Sequence, residues 1–264
     1  MFSLEIDCPP DAHDLLVADL WEAGSAGIVE LDGGRLRAFF EDGADRKALA
    51  ARFRAAAWRT EEGQDWVAIS RADWEPLAVG ERFFLVPEWR SDPAPEGRFR
   101  IVVNPGMAFG TGRHESTQLC LEVLETHVGG GTAMLDVGTG SGILAEAARL
   151  LGAGPVWGCD IDALALEVAR NKAGGGLFVG SADAVRAGAA GLITANISAA
   201  AVMGLTADLL RCLRPDGVAL LSGFDRSEAE GVEAEWLGRG GEIHERRHKG
   251  EWALLAGVRG RRVA

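Results

Sequence analysis

A chain of 264 residues, 47% of them apolar, can bury the core of one large domain or two smaller ones, and no apolar run reaches the roughly 18 residues of a membrane-spanning helix, so no membrane partner is expected. The net charge is −12, and acids exceed bases by four in each of the segments 1–60, 61–110 and 111–264. With no basic face, a DNA or free-RNA substrate is not expected; a basic protein partner steered by opposite charge fits, and so does a surface tuned for solubility alone.

The chain starts directly on a strand-like segment, without the basic and apolar leader of a secretory signal. Its four cysteines (Cys8, Cys120, Cys159, Cys212) are scattered and form no C-x-x-C pair. Small buried thiols in a reducing cytoplasm are expected, and no zinc site.

Phe2 to Cys8 alternates apolar and polar residues, as a half-buried strand does. Pro10 and Asp11 open a helix with Leu15, Leu16, Leu20 and Trp21 at helical spacing, and Gly24 stops it. Residues 26–31 and 36–40 read as strands joined by the hairpin signal Asp32-Gly33-Gly34. A second helix over 46–53 and a strand over 56–60 complete the order β-α-β-β-α-β, a ferredoxin-like domain over residues 1–60. Nothing in it carries catalytic chemistry, and a sheet covered on one face leaves the other for a partner. Residues 61–98 read as a linker region. Trp66, Ile69 and Trp74 fit a short helix, and Pro76, Pro87, Pro93 and Pro95 follow. Three tryptophans there (Trp66, Trp74, Trp89) suit packing between domains better than a binding cage.

From residue 99 to 264 the pattern is α/β. A strand over 98–103 and a helix over 114–127 lead into strands near 133–137, 156–160, 177–179, 191–196 and 218–223, with helices between most of them. Such alternation implies a mainly parallel, doubly wound sheet. Two last strands, over 242–247 and 251–258, meet at Lys249-Gly250 and suit an antiparallel sheet edge.

The chemistry concentrates at strand ends. Leu135-Asp136-Val137-Gly138-Thr139-Gly140-Ser141-Gly142 is an apolar strand running into a glycine turn that opens a helix. Gly158-Cys159-Asp160-Ile161-Asp162 is a second strand ending in an acid about twenty residues on, the spacing of a ribose-binding carboxylate. The turn reads G-x-G-x-G after Asp136 rather than the dinucleotide G-x-G-x-x-G. It looks like an S-adenosylmethionine site, in which Gly138 and Gly140 let the ligand lie against backbone and the helix N-terminus near Ser141 faces a carboxylate. Asp160, with Ile161 beside it, is the expected cofactor contact; Asp162 suits a helix cap better. Asp183, after the third strand, fits an adenine contact and a helix cap equally. Asn196 ends the fourth strand, where it either accepts from an amine nucleophile or caps the next helix; the position favours the first. Residues 104–117, with three glycines, Phe109, His114 and Thr117, are richer than a plain loop requires and fit a segment that folds over a cofactor. His114 is more in keeping with a cap or packing residue than with an acid/base. No Ser/His/Asp set and no metal cluster is evident.

Asn104 to Thr117, taken with D-V-G-T-G-S-G-I-L-A at 136–145, G-C-D-I-D at 158–162 and Ala195-Asn196-Ile197, closely resembles the ribosomal protein L eleven methyltransferase family (PrmA). Asn104, Ser116 and Ala163 depart from that pattern, where Asp, Thr and Pro are usual, and 173–191 is short. The resemblance implies a class I methyltransferase domain behind a ferredoxin-like domain that recognises the ribosomal protein. It implies S-adenosylmethionine as cofactor, Thr117, Gly138, Asp160 and Asn196 at the cofactor or methyl site, and Phe109 in a gating loop. The acceptors would be lysine ε-amines and the N-terminal α-amine of that large-subunit protein, with the enzyme a monomer. Methylation of another protein or of a small-molecule amine is the alternative. Methyltransferases of DNA adenine or of glutamine carry N-P-P-Y or D-P-P-Y at strand four, which Asn196-Ile197-Ser198 lacks. A nicotinamide oxidoreductase fits poorly without the third glycine and with no tyrosine in the chain. A cofactor-binding module without catalysis is a third reading.

Overall fold

Period-two alternation places Phe2 and Leu4 of strand β1 (Phe2–Asp7) in a core, and turns Ser3 and Glu5 to the other face. In this computed structural model, which describes residues 2–9, 13–31, 34–54, 56–60, 74–104, 112–170, 172–173 and 176–260, the chain forms two compact units, 1–73 and 74–264. The first contains β1, α1 (His13–Glu22), β2 (Gly27–Leu31), β3 (Arg35–Phe40), α2 (Arg46–Arg52) and β4 (Ala57–Thr60). Its sheet runs β2-β3-β1-β4, antiparallel throughout. Leu20 and Leu49 from the helices meet Phe2, Leu4, Leu36, Ala38 and Phe40 of the sheet. Asp45 caps α2, its Oδ1 accepting from the backbone N–H of Lys47 and Ala48 at 3.0 and 3.1 Å. On the other face Glu5 is almost fully buried by Arg35, Arg37 and Arg59, and the hydrogen bond from Arg37 holds its carboxyl below the usual range. Pro10, Asp11, Asp32, Gly33, Trp66 and Ile69 lie outside the described residues.

The second unit opens with a small sheet of β5 (Leu77–Val79), β6 (Phe83–Pro87) and β7 (Phe99–Val103). Two of these strands lie where the sequence shows only a connecting region, and the third, expected ahead of the main sheet, pairs in parallel with β6 instead. Prolines disguise the strand signal: Pro76 precedes β5, and Pro87 ends β6, where a missing ladder donor is tolerated. Trp74 packs partly buried against the core under this sheet, its ring edge-on to Trp89 at 6.5 Å.

The main sheet holds seven strands in the order β10-β9-β8-β11-β12-β14-β13. They are β8 (Met134–Val137), β9 (Val156–Asp160), β10 (Gly176–Val179), β11 (Ala190–Asn196), β12 (Leu213–Asp225), β13 (Gly241–Lys249) and β14 (Trp252–Arg259). Strands β8 to β12 pair in parallel, and β14 runs antiparallel between β12 and β13. Helices α3 (Glu115–His127), α4 (Ile143–Leu150), α5 (Ala163–Ala169), α6 (Ala199–Cys212) and α7 (Ala229–Gly238) cover it. Successive residues serve opposite faces. Met134, Leu192, Leu220 and Leu254 meet α3, α4 and the small sheet, while Leu135, Ile193, Leu221 and Leu255 meet the cluster of Leu209 and Trp236. Between β10 and β11 there is only a 3-10 turn (Ala182–Ala184), which accounts for the short 173–191 stretch. Strand order reverses between β8 and β11, and in sheets of this kind the crevice outside those carboxyl ends receives ligands. No described helix is long and apolar enough to cross a membrane.

Candidate functional site

The carboxyl ends of β8, β9 and β11 meet around Asp136. Its carboxylate is 1% exposed and accepts from Thr139 Oγ1 at 2.7 Å and from Thr194 Oγ1 at 2.6 Å. Burial pushes its pKa up, and the two hydroxyl donors oppose that by favouring the charged form. Thr194 stands beside Asp136 because β11 and β8 pair in that register.

The glycine turn follows. Gly138 and Thr139 donate their N–H groups to Cys159 O at 2.8 and 3.0 Å, and Gly140 N–H donates to Asp160 Oδ2 at 2.9 Å. Gly138 has φ +68°, and a Cβ there would lie 2.3 Å from Ile197 Cγ2. Only glycine lets the turn run this close to the β11 exit. Asp160 also accepts from Asp162 N–H through Oδ1 at 3.0 Å, so each oxygen has one backbone donor and keeps capacity for another. Asp162 caps α5, accepting from Leu164 N–H at 2.9 Å, as the sequence suggests.

Apolar surface surrounds the acid. Ile161 is 84% exposed, with Leu164 and Val179 also largely exposed; Val179 pairs with Asp160 across β10 and β9. Leu164 and Val179 were not legible as site residues, because their spacing reads as ordinary core. Gly180 N–H donates to Asp160 O at 2.9 Å, which ties the start of the next loop to the same place. Asp183 in that loop is exposed and lies inside the 3-10 turn rather than at its cap.

At the β11 end, Asn196 Nδ2 donates to Thr117 Oγ1 at 3.2 Å, and Thr117, in the first turn of α3, is buried. Asn196 Oδ1 is buried and has no hydrogen-bond partner among the described residues. Capping of α6 falls to Ser198, whose Oγ accepts from Ala201 N–H, so Asn196 does not serve as the cap. The following backbone is pinned: Ile197 N–H donates to Ser222 O at 3.0 Å, and a Cβ on Gly223 (φ +92°) would lie 2.5 Å from Ile197 O. His114 packs its ring on Trp252 at 4.2 Å with Nδ1 2.7 Å from Ser116 Oγ, and burial lowers its pKa. Its ring serves as a packing surface. Phe109 lies outside the described residues. All four cysteines are free and buried, and burial pushes the Cys120 and Cys159 thiols up to about 12.

Thr117, Asn196, Gly138, Gly140, Asp160 and Ile161 thus form one contiguous rim through direct contacts. The rim offers a carboxylate with acceptor capacity, close-approach backbone, apolar surface and an orphaned amide oxygen. On this sheet order, those features fit a class I, S-adenosylmethionine-dependent methyltransferase domain. A family model described as ribosomal protein L11 methyltransferase (PrmA) matches residues 35–260. The ribosomal protein L11 methyltransferase of Symbiobacterium thermophilum is 38% identical over 233 residues, covering 86% of this chain and 75% of that protein. That of Synechococcus elongatus is 34% identical over 285 aligned positions, covering 96% and 95%. The crystal structure of ribosomal protein L11 methylase from Lactobacillus delbrueckii subsp. bulgaricus superposes with a TM-score of 0.65 at 31% identity, covering 71% of this chain and 100% of that one. The chain belongs to the ribosomal protein L11 methyltransferase family.

The Gly138–Ile197 approach is testable without ligand. Gly138→Ala should cost about 1–2 kcal/mol for its left-handed backbone and about 1–3 kcal/mol for overpacking. Adding Ile197→Ala relieves the second part, so urea denaturation of the double variant should show a smaller loss than the two single losses combined. Strict additivity would show that the side chain is not the obstacle.

Proposed function

We propose that this chain transfers methyl groups from S-adenosylmethionine to lysine ε-amines and the N-terminal α-amine of ribosomal protein L11, as a cytoplasmic monomer. The observation that carries the reading is Asn196 Oδ1: an acceptor at the end of β11, buried, fixed by Thr117, and without a partner among the described residues. A buried orphan of this kind needs an explanation, and an incoming N–H donor supplies one.

In this reading residues 1–60 are a ferredoxin-like substrate-recognition domain and 99–264 the methyltransferase domain; of the expected linker region 61–98, the residues from Trp74 on, with β5 and β6, belong to the second unit. The strand order β2-β3-β1-β4 with two helices supports the first assignment. Asp160 accepts from the ribose hydroxyls, Ile161 lies against the adenine with Leu164 and Val179 extending the apolar surface, and Gly138 and Gly140 admit the methionine part. Asp183 accepts from the adenine amine, Thr117 holds the Asn196 amide, and Phe109 belongs to the segment that closes over the cofactor.

When bound, the cofactor supplies an electrophilic methyl group together with its own leaving group, so the protein's work is positioning and desolvation. The attacking amine must be neutral, against solution pKa values of ~10.4 for lysine and ~7.7–8.0 for an α-amine. Entry into a partly apolar cleft beside a positive charge lowers either value. Asn196 Oδ1 then accepts one N–H of the neutral amine and aims its lone pair.

Incubation with radiolabelled cofactor and L11 should label L11. Label on some other protein instead would favour the alternative acceptor. Asp160→Ala should weaken cofactor binding roughly 10- to 100-fold, the worth of a charged hydrogen bond of about 1.5–3 kcal/mol; unchanged affinity in a folded variant by calorimetry would remove Asp160 from this role. Asn196→Ala should lower kcat more than it weakens cofactor binding, since the contact acts at the reacting centre. Asn196→Asp should be partly active with its pH–rate profile shifted upward, because the added charge holds the amine protonated to higher pH. Collapse of cofactor affinity with kcat retained in Asn196→Ala would make Asn196 a cofactor ligand only.

A further inference from the structure

His127, His244 and Glu245 each offer one ligating atom within 4.8 Å of the others, where the last turn of α3 meets the sheet-edge strand β13. His127 Nδ1 lies 3.0 Å from Val123 O and 3.1 Å from Thr126 Oγ1. A carbonyl oxygen can only accept, so Nδ1 carries the proton and Nε2 presents a lone pair. Metal-ligating histidines are commonly oriented this way, with the second ring nitrogen held by backbone. Nε2 faces Glu245 Oε2 at 3.6 Å. That is long for a hydrogen bond, yet near the about 3.3 Å that separates two ligand atoms on a tetrahedral ion with ~2.0–2.1 Å bonds. Arg247 Nε holds the other oxygen, Oε1, at 2.6 Å and leaves Oε2 on the histidine side.

The strand is distorted at the place that assembles this set. Ile243 pairs with Gly257 and Glu245 with Ala256, so His244 is an extra residue in β13. In an unbroken strand His244 and Glu245 would point to opposite faces; a bulge re-aims one of them. Ile243 packs with the Trp236 cluster and Arg246 pairs with Glu233 of α7 on one face. His244 and Glu245 both turn toward α3, with the His127 and His244 ring centroids 6.0 Å apart. The carbonyl end of α3 also favours positive charge there.

We propose that His127, His244 and Glu245 bind one divalent ion of the zinc type, with water as the fourth ligand, joining the β13–β14 hairpin to the end of α3. Thr117 lies about 15 Å away along the helix at its rise per residue, so this site is separate from the methyl-transfer site.

The test uses the full-length protein stripped with chelator, titrated with zinc chloride by calorimetry and with cobalt chloride by visible absorption. One ion per chain is expected, with the cobalt spectrum of a four-coordinate nitrogen and oxygen site and a rise in Tm on adding zinc. His244→Ala and Glu245→Gln, at exposed and half-buried positions respectively, should each weaken binding about tenfold or more and remove the Tm rise. His248→Ala should bind as the parent does. The inference is overturned if the parent binds no ion beyond the His244→Ala background, or if His248→Ala rather than His244→Ala loses the ion.

Discussion

One buried carboxylate, Asp136, organises the end of the sheet. Taking a charge to 1% exposure is costly unless donors replace water, and Thr139 and Thr194 do so. Those two bonds clamp the glycine turn and strand β11 onto the end of β8. The turn then delivers Gly140 N–H to Asp160, and β11 delivers Asn196 to Thr117. The rim is therefore held in place by contacts within the protein itself.

The acids at the site illustrate how environment separates chemically similar groups. Asp136 is spent on structure, enclosed by threonines. Asp162 is spent on a helix end. Asp160 alone stands half-buried with each oxygen holding one backbone donor and with apolar side chains exposed around it. Exposed Ile161, Leu164 and Val179 next to a carboxylate are an unusual surface for a protein that is otherwise strongly acidic, and a ligand with an aromatic face and polar hydroxyls satisfies both halves.

The first unit solves a different problem. Its sheet has helices on one face, and on the other a single carboxylate, Glu5, is drawn under three arginines. The bidentate fork of guanidinium allows several arginines to share one acceptor, which lysine would do less well. The result is a local cluster of net positive charge on a unit whose overall balance is negative.

Sequence alone determined the elements whose signal is local. Phe2 to Asp7 shows its strand by alternation, α3 by its Leu119, Val123 and Leu124 spacing, and the glycine turn and Asp160 by position relative to two apolar runs. The roles of Asp162 and His114 were also legible, because caps and packing residues follow local rules. Tertiary structure decided what depends on distant partners. Strands β5 and β6 hide behind prolines; β6 is held between β5 and β7, and only that pairing reveals them. The orphaned oxygen of Asn196 arises only when Thr117, 79 residues earlier, takes the other end of the amide. The bulge at His244 is invisible to any periodicity, since it is defined by the strand it fails to match. Burial, register and an unmet hydrogen bond are properties of pairs of segments, and a linear pattern records only one member of each pair.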